Sequence, residues 1–215
     1  MVDIAKIEKR TVQSFYDDGL FEVAFGLIFL VLGAYFFAET ALPAGSALRA
    51  ALSALFVLVI ISAGFIVNRV VRFLKRRITY PRTGFVVFKK KEANPKRRLA
   101  AGIVGGIIGA SLAVLYTLSP SFKALFPALN GLLFAVAVLL IANRIGLVRF
   151  YALAAASAVI GVAVTAAGVG ELKGISLYYG LFGAAVVISG LAALVVYLRR
   201  SPRPEPETPE APDAR

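Results

Sequence analysis

LFEVAFGLIFLVLGAYFFA, residues 20–38, decides the class of this chain. Its length matches the roughly 20 mostly apolar residues that cross a bilayer. Glu22 is its one charged residue before position 39. Backbone amides and carbonyls cannot be left unpaired in hydrocarbon, so such a segment must be helical. A barrel strand would be shorter and would alternate apolar with polar residues.

Five more blocks of this kind follow. They lie at 50–67, 99–118, 124–142, 147–168 and 175–198. The expectation is an all-α polytopic membrane domain over residues 20–200, with six transmembrane helices. Composition agrees: mean hydropathy is +0.81 and 59% of residues are apolar, against about 45–50% in a soluble domain. The links ETALPAGSALR, SPSFK, NRIG and VGELKGIS are short, which makes neighbouring helices antiparallel. Only the link at 68–98 has room for further structure. Residues 1–19 are polar and mixed in charge, without the apolar core of a signal peptide, so the first block is expected to be retained. The tail SPRPEPETPEAPDAR, residues 201–215, is rich in Pro and Glu and is expected to be disordered.

Lys and Arg set the expected orientation. The N-terminal segment, the 68–98 link, the 143–149 turn and the C-terminal end hold 21 of them, and the opposite side holds 3. Both termini are therefore expected in the cytoplasm of a cell-membrane protein. The chain has no Cys and no His. That removes disulfides, thiol chemistry and most transition-metal sites, together with the side chain best suited to proton transfer near neutrality. No phosphate loop, zinc motif or nucleophile elbow is present, and no cofactor is expected.

The 68–98 link carries twelve Lys and Arg and one acid, Glu92. NRVVRFLKRRITY reads as a cytoplasmic extension of the second helix. Val70, Val71, Phe73, Leu74 and Ile78 form its apolar side, and Arg69, Arg72, Lys75, Arg76 and Arg77 supply its charge. Pro81 should end the helix. PRTG then suits a turn, and GFVVF reads as a short β-like strand or interfacial wedge. Lys89, Lys90 and Lys91 follow. The plainer reading is that this charge only sets topology. The functional reading is a surface for anionic lipid. Nucleic acid is not expected as a partner, because the basic face would have to leave the membrane. Leu74, Tyr80 and Arg82 satisfy a proposed sterol pattern that is too loose to use.

SFYDDGLFEVAFG, residues 14–26, is the second feature. Asp17 and Asp18 fall at a helix start, where negative charge is favoured. Glu22 lies one turn inside the apolar block, where a carboxylate is costly unless paired or wet. It could reach back to the interface or pair with Arg82, Arg144 or Arg149. Tyr80 and Arg82 are expected to meet Asp17, Asp18 or Glu22 in a composite face. The expected interaction residues are thus Asp17, Asp18, Glu22, Tyr80, Pro81, Arg82, Gly84, Lys89, Lys90 and Lys91.

Phe15, Tyr16, Asp17, Asp18, Gly19 and Leu20, followed by Thr79, Tyr80, Pro81, Arg82, Gly84, Phe85 and Val86, resemble an uncharacterised family of small multi-pass membrane proteins from bacteria and archaea. Its marks are FY-acid-DGL before the first helix and TYPR-x-G-aromatic-V after the second. Phe85 stands where that pattern more often has Tyr. The resemblance covers a small part of the chain and implies a membrane location without a mechanism.

Gly102 with Gly106, and Gly105 with Gly109, form two GxxxG pairs that suit close helix packing within the chain. The Ala- and Gly-rich stretch 152–168 suggests close packing of the fifth and sixth helices. Beyond Glu22 no block carries a charge at mid-membrane depth, which weighs against ion-coupled transport. Asn130, Ser157, Thr165, Ser176 and Ser189 are the modest polar candidates for a pathway, and isolated ones more often bond their own backbone. Pro127 lies near a helix start and needs no special role. The expected function is non-enzymatic: a membrane protein whose basic cytoplasmic face binds anionic lipid, a protein partner or another copy of itself. The alternatives are a small-solute transporter or channel and, last, a lipid-headgroup enzyme built on Asp17, Asp18, Glu22 and Arg82.

Overall fold

The computed structural model describes residues 13, 15–80, 103, 111, 114 and 117–201. Among the described residues the chain is helical and has no strand. Five helices are seen end to end: α1 Leu20–Ala41, α2 Ala47–Ile78, α3 Pro120–Ile145, α4 Val148–Ala166 and α5 Glu171–Arg200. Each contains one of the expected blocks and extends or trims it by a few residues, except α2. It runs eleven residues past the end of its block and absorbs the NRVVRFLKRRI extension. The third expected block, 99–118, lies mostly outside the described residues, although 103, 111, 114, 117 and 118 are helical. GFVVF, both GxxxG pairs and nearly all of the tail also lie outside them.

α1, α4, α5 and the Phe122–Ile145 part of α3 are each long and apolar enough to cross a membrane. α2 would be a fifth span with a 63° bend between Ala47–Val59 and Gly64–Ile78. A back-bonded serine and a glycine lie at this place. The Ser62 hydroxyl donates to the carbonyls of Leu58 at 2.6 Å and Val59 at 3.3 Å, and Gly64 follows. Such back-bonding beside a glycine is a recognised origin of kinks. Large apolar side chains face outward along the helices, including Phe37, Leu58, Ile61, Phe65, Leu140 and Ile188. A surface of this kind suits lipid rather than water.

The ends of the helices follow from their sequences. Ser46 caps α2 by accepting from Arg49 N at 3.2 Å, and Ser119 caps α3 by accepting from Phe122 N at 3.3 Å. Pro120 occupies the first turn of α3, where its missing N–H costs nothing. Gly146 ends α3 in the left-handed region at φ 78°, which explains the tight NRIG link.

α1 packs most closely on α5, and α3 on α4; α4 and α5 join the two pairs, and α2 leans on α1. The α1–α5 contact has a simple origin in the sequence. Gly19, Gly26 and Gly33 recur every seventh residue, and on α5 so do Ser176, Gly183 and Gly190. Running antiparallel, they meet as 19 with 190, 26 with 183 and 33 with 176. A Cβ on Gly26 would lie 2.7 Å from Val187 Cγ2 and 2.9 Å from the Gly183 carbonyl; one on Gly183 would lie 2.8 Å from Leu30 N. Ser176 completes the row by donating to the Gly33 carbonyl at 2.8 Å. A seven-residue period keeps this seam in register along both helices.

The Ala- and Gly-rich α4 packs on α5, its expected partner, and more extensively on α3. A Cβ on Gly131 would come within 2.8 Å of Gly161 Cα. Pro127 is reinterpreted. It sits inside α3, where it interrupts the backbone ladder, and the next amide, Ala128 N, donates to Thr165 Oγ1 on α4 at 2.9 Å. Phe29, Phe150, Tyr178 and Phe182 fill the core between the pairs. The Phe29 ring sits 5.0 Å from that of Phe134 and 5.1 Å from that of Phe182.

Candidate functional site

The start of α1, the end of α2, the start of α4 and the later turns of α5 converge at one end of the bundle. FYDDGL builds the meeting point. Gln13, Phe15 and Tyr16 are helical, Asp17 and Asp18 form the turn, and Gly19 at φ 65° redirects the chain into α1. The turn closes through Gly19 N to the Tyr16 carbonyl at 3.1 Å. Glycine is required there twice over. The φ is left-handed, and a Cβ would run into the Gly190 carbonyl of α5.

Asp18 is fully buried. Its Oδ1 accepts from Leu20 N at 3.3 Å, a local turn contact one residue before the N-cap, which is Gly19 and not an acid. Its Oδ2 accepts from Lys75 Nζ at 2.6 Å and from Thr79 Oγ1 at 2.9 Å, both on or just after α2. Lys75 is 2% exposed. It also donates to the Phe15 carbonyl and stands 3.9 Å from the centre of the Phe15 ring.

Glu22, 2% exposed, is held in the same manner one turn deeper. Its Oε1 accepts from Arg149 Nε at 2.6 Å and its Oε2 from Ser189 Oγ at 2.9 Å. Arg149 also donates to the Tyr16 carbonyl. Lys75 and Arg149 therefore satisfy the last carbonyls of the segment before the turn as well as the two carboxylates that follow it. Positive charge at a helix C-terminus is favoured by the backbone dipoles. Burial of two charges is tolerated here because each has an opposite partner and further hydrogen bonds.

Asp17 is exposed. Partial desolvation raises its carboxyl above the usual range; Arg149 opposes the rise and Asp18 adds to it.

Of the expected interaction residues, Asp17, Asp18 and Glu22 lie together in this cluster, and Tyr80 is half-buried just beyond Thr79. Pro81, Arg82, Gly84, Lys89, Lys90 and Lys91 lie outside the described residues. Arg149 proves to be the partner of Glu22, one of the three arginines that the sequence offers. Lys75 was missed as a partner because it reads as one more surface charge. The correction lies in spacing: Val67, Val71, Lys75 and Thr79 recur every fourth residue and form the buried stripe of α2. Arg69, Arg72, Arg76 and Arg77 are exposed, as are Val70 and Phe73. The expected apolar side of the extension is thus split, with Val71 inward and Val70 and Phe73 outward among the arginines.

The polar residues inside the bundle are engaged between helices. Ser157 donates to the Gly131 carbonyl at 2.8 Å and meets Tyr178 Oη at 2.9 Å; Tyr179 donates to Asn130 at 3.1 Å. With Thr165 to Ala128, Ser176 to Gly33 and Ser189 to Glu22, only Asn130 among the five candidates bonds its own helix, through Phe126 O at 3.0 Å. At the other end of α1, Glu39 accepts from Arg49 at 2.5 Å and from Ser53 and Tyr35 at 2.9 Å each, which ties α1 to the start of α2.

No family model, no curated protein and no solved structure matches the chain.

Proposed function

We propose that this is a non-enzymatic, multi-pass protein of the cell membrane, with both termini in the cytoplasm, whose basic cytoplasmic face binds anionic lipid. The observation that carries this reading is the division of the α2 extension. Its inner stripe is locked to α1 through Asp18 and Lys75, and its outer side presents Arg69, Arg72, Arg76 and Arg77. A basic surface clamped at the membrane boundary gains about 1 kcal/mol per cation from an anionic leaflet.

The state of the carboxylates supports the non-enzymatic part. Asp18 and Glu22 are held by fixed donors on both oxygens and are buried, which suits a structural role in joining the helices. Transport is a weaker reading, since the polar residues that could line a path are bonded between helices. Membership of the FY-acid-DGL family belongs to the same proposal: Phe15, Tyr16, Asp18 and Gly19 each have a role in one turn, which is reason enough for such a motif to recur.

The test uses the full chain reconstituted in mixed phosphatidylglycerol and phosphatidylcholine, with the retained lipid extracted and quantified. Phosphatidylglycerol should be enriched around the protein. Replacing Arg77, Lys89, Lys90 and Lys91 with Gln should reduce the enrichment and its sensitivity to salt. Equal retention of both lipids by the unaltered protein would overturn the proposal.

A further inference from the structure

Arg69, Arg72 and Arg76 line one open groove with Val70, Phe73 and Leu74, of about 390 Å³. The spacing i, i+3, i+7 puts the three guanidinium groups along one helix face. At about 1.5 Å per residue their attachment points span roughly 10 Å. Among the described residues none of the three has a carboxylate within ion-pair range. Arg72 spends its Nε on the Asn68 carbonyl at 3.0 Å, which fixes its stem along the helix. Arg77 stands at the margin, with its guanidinium 5.4 Å from the centre of the Phe73 ring. Phe73 is 57% exposed and Val70 42% exposed, so the groove carries an apolar strip beside its charges.

Charge and shape together select an occupant. Guanidinium forks bind phosphate in pairs of parallel hydrogen bonds. Three of them within about 10 Å exceed what one singly charged phosphodiester can neutralise. Two phosphates joined by a short bridge carry twice that charge and can engage neighbouring guanidinium groups on one helix face together. The exposed Phe73 and Val70 would lie against acyl chains, which favours a lipid over a soluble diphosphate. We infer that this groove is a site for one phospholipid bearing two phosphates, of the diphosphatidylglycerol class. The inference rests on the lipid-binding reading above and sharpens it from a diffuse attraction to a single occupied site.

Native mass spectrometry of the detergent-solubilised full chain tests it, with diphosphatidylglycerol titrated against twice the molar amount of phosphatidylglycerol, so that total charge is equal. One diphosphatidylglycerol should be retained per chain, at least about tenfold more tightly than phosphatidylglycerol. R69Q/R72Q/R76Q should weaken that retention about a hundredfold, from roughly one cation's contribution at each position. R144Q/R199Q, on the same side but outside the groove, should leave it unchanged. The exposed positions of the triple variant should leave its melting transition in place, which separates lost binding from lost folding. If phosphatidylglycerol competes equally at matched charge, the site is wrong while the basic-face reading stands. If neither anionic lipid is preferred over phosphatidylcholine, both are wrong.

Discussion

Replacing Lys75 with Met should be among the most damaging single changes outside the packed core. Met keeps most of the side-chain volume and removes the charge together with the donors to Asp18 and the Phe15 carbonyl. Asp18 then remains fully buried, with Thr79 at 2.9 Å and Leu20 N at 3.3 Å as its donors. Stripping one partner from a buried ion pair costs about 3–5 kcal/mol, because the other charge stays desolvated. In a chain of this size that corresponds to a fall in melting temperature on the order of 10 °C. Circular dichroism at 222 nm in detergent reads it directly. The double variant D18L/K75M should recover part of the loss, since it leaves no buried charge unpaired, while the bonds of Leu20 N, Thr79 and the Phe15 carbonyl to these two side chains stay lost. The reasoning would be refuted by a single variant that melts like the unaltered protein, or by a double variant that loses the sum of both singles. The same logic ranks the three ion pairs. The acid left behind is 2% exposed for Glu22 and 11% exposed for Glu39, so R149M should cost about as much as K75M, and R49M less, as solvent shares the work of stabilising Glu39.

The glycine seam makes a sharp internal contrast. G26V should lower stability by at least about 1–3 kcal/mol by overpacking, since even its Cβ meets Val187 at 2.7 Å. G180A, whose Cβ meets nothing within 4 Å, should be neutral or slightly stabilising through helix propensity; thermal melts of the two variants check both. The raised Asp17 carboxyl means that folding favours its protonated form. The destabilisation is therefore present above the ordinary carboxyl range and relieved as pH falls through it. D17N should raise the melting temperature at pH 7, and the gain should shrink towards pH 4.

How much of this could be read from the residues differs by feature. The apolar blocks were legible because a bilayer imposes length and continuity on a helix. The Glu22–Arg149 pair was half legible: a carboxylate one turn inside an apolar block must find a partner, but nothing in the chain chooses among three arginines. Lys75 was hidden among twelve basic residues, and only its four-residue spacing from Val67 and Val71 marks it as inward. The period of Gly19, Gly26 and Gly33 was passed over because glycine is frequent in membrane helices; its meaning appears only when Gly190, Gly183 and Ser176 are placed opposite. Pro127 was read against a helix start four residues too late, and Ser119 with Pro120 was the cap signal that would have moved it.

The sidedness of the charge cluster is the central claim, and the absence of cysteine from the chain makes it directly measurable. Two single-cysteine variants, A44C in the α1–α2 link and S201C after α5, are labelled with a membrane-impermeant maleimide before and after permeabilising cells. The account predicts labelling of A44C in intact cells and of S201C only after permeabilisation. The reverse pattern, or labelling of both positions from outside, would contradict it.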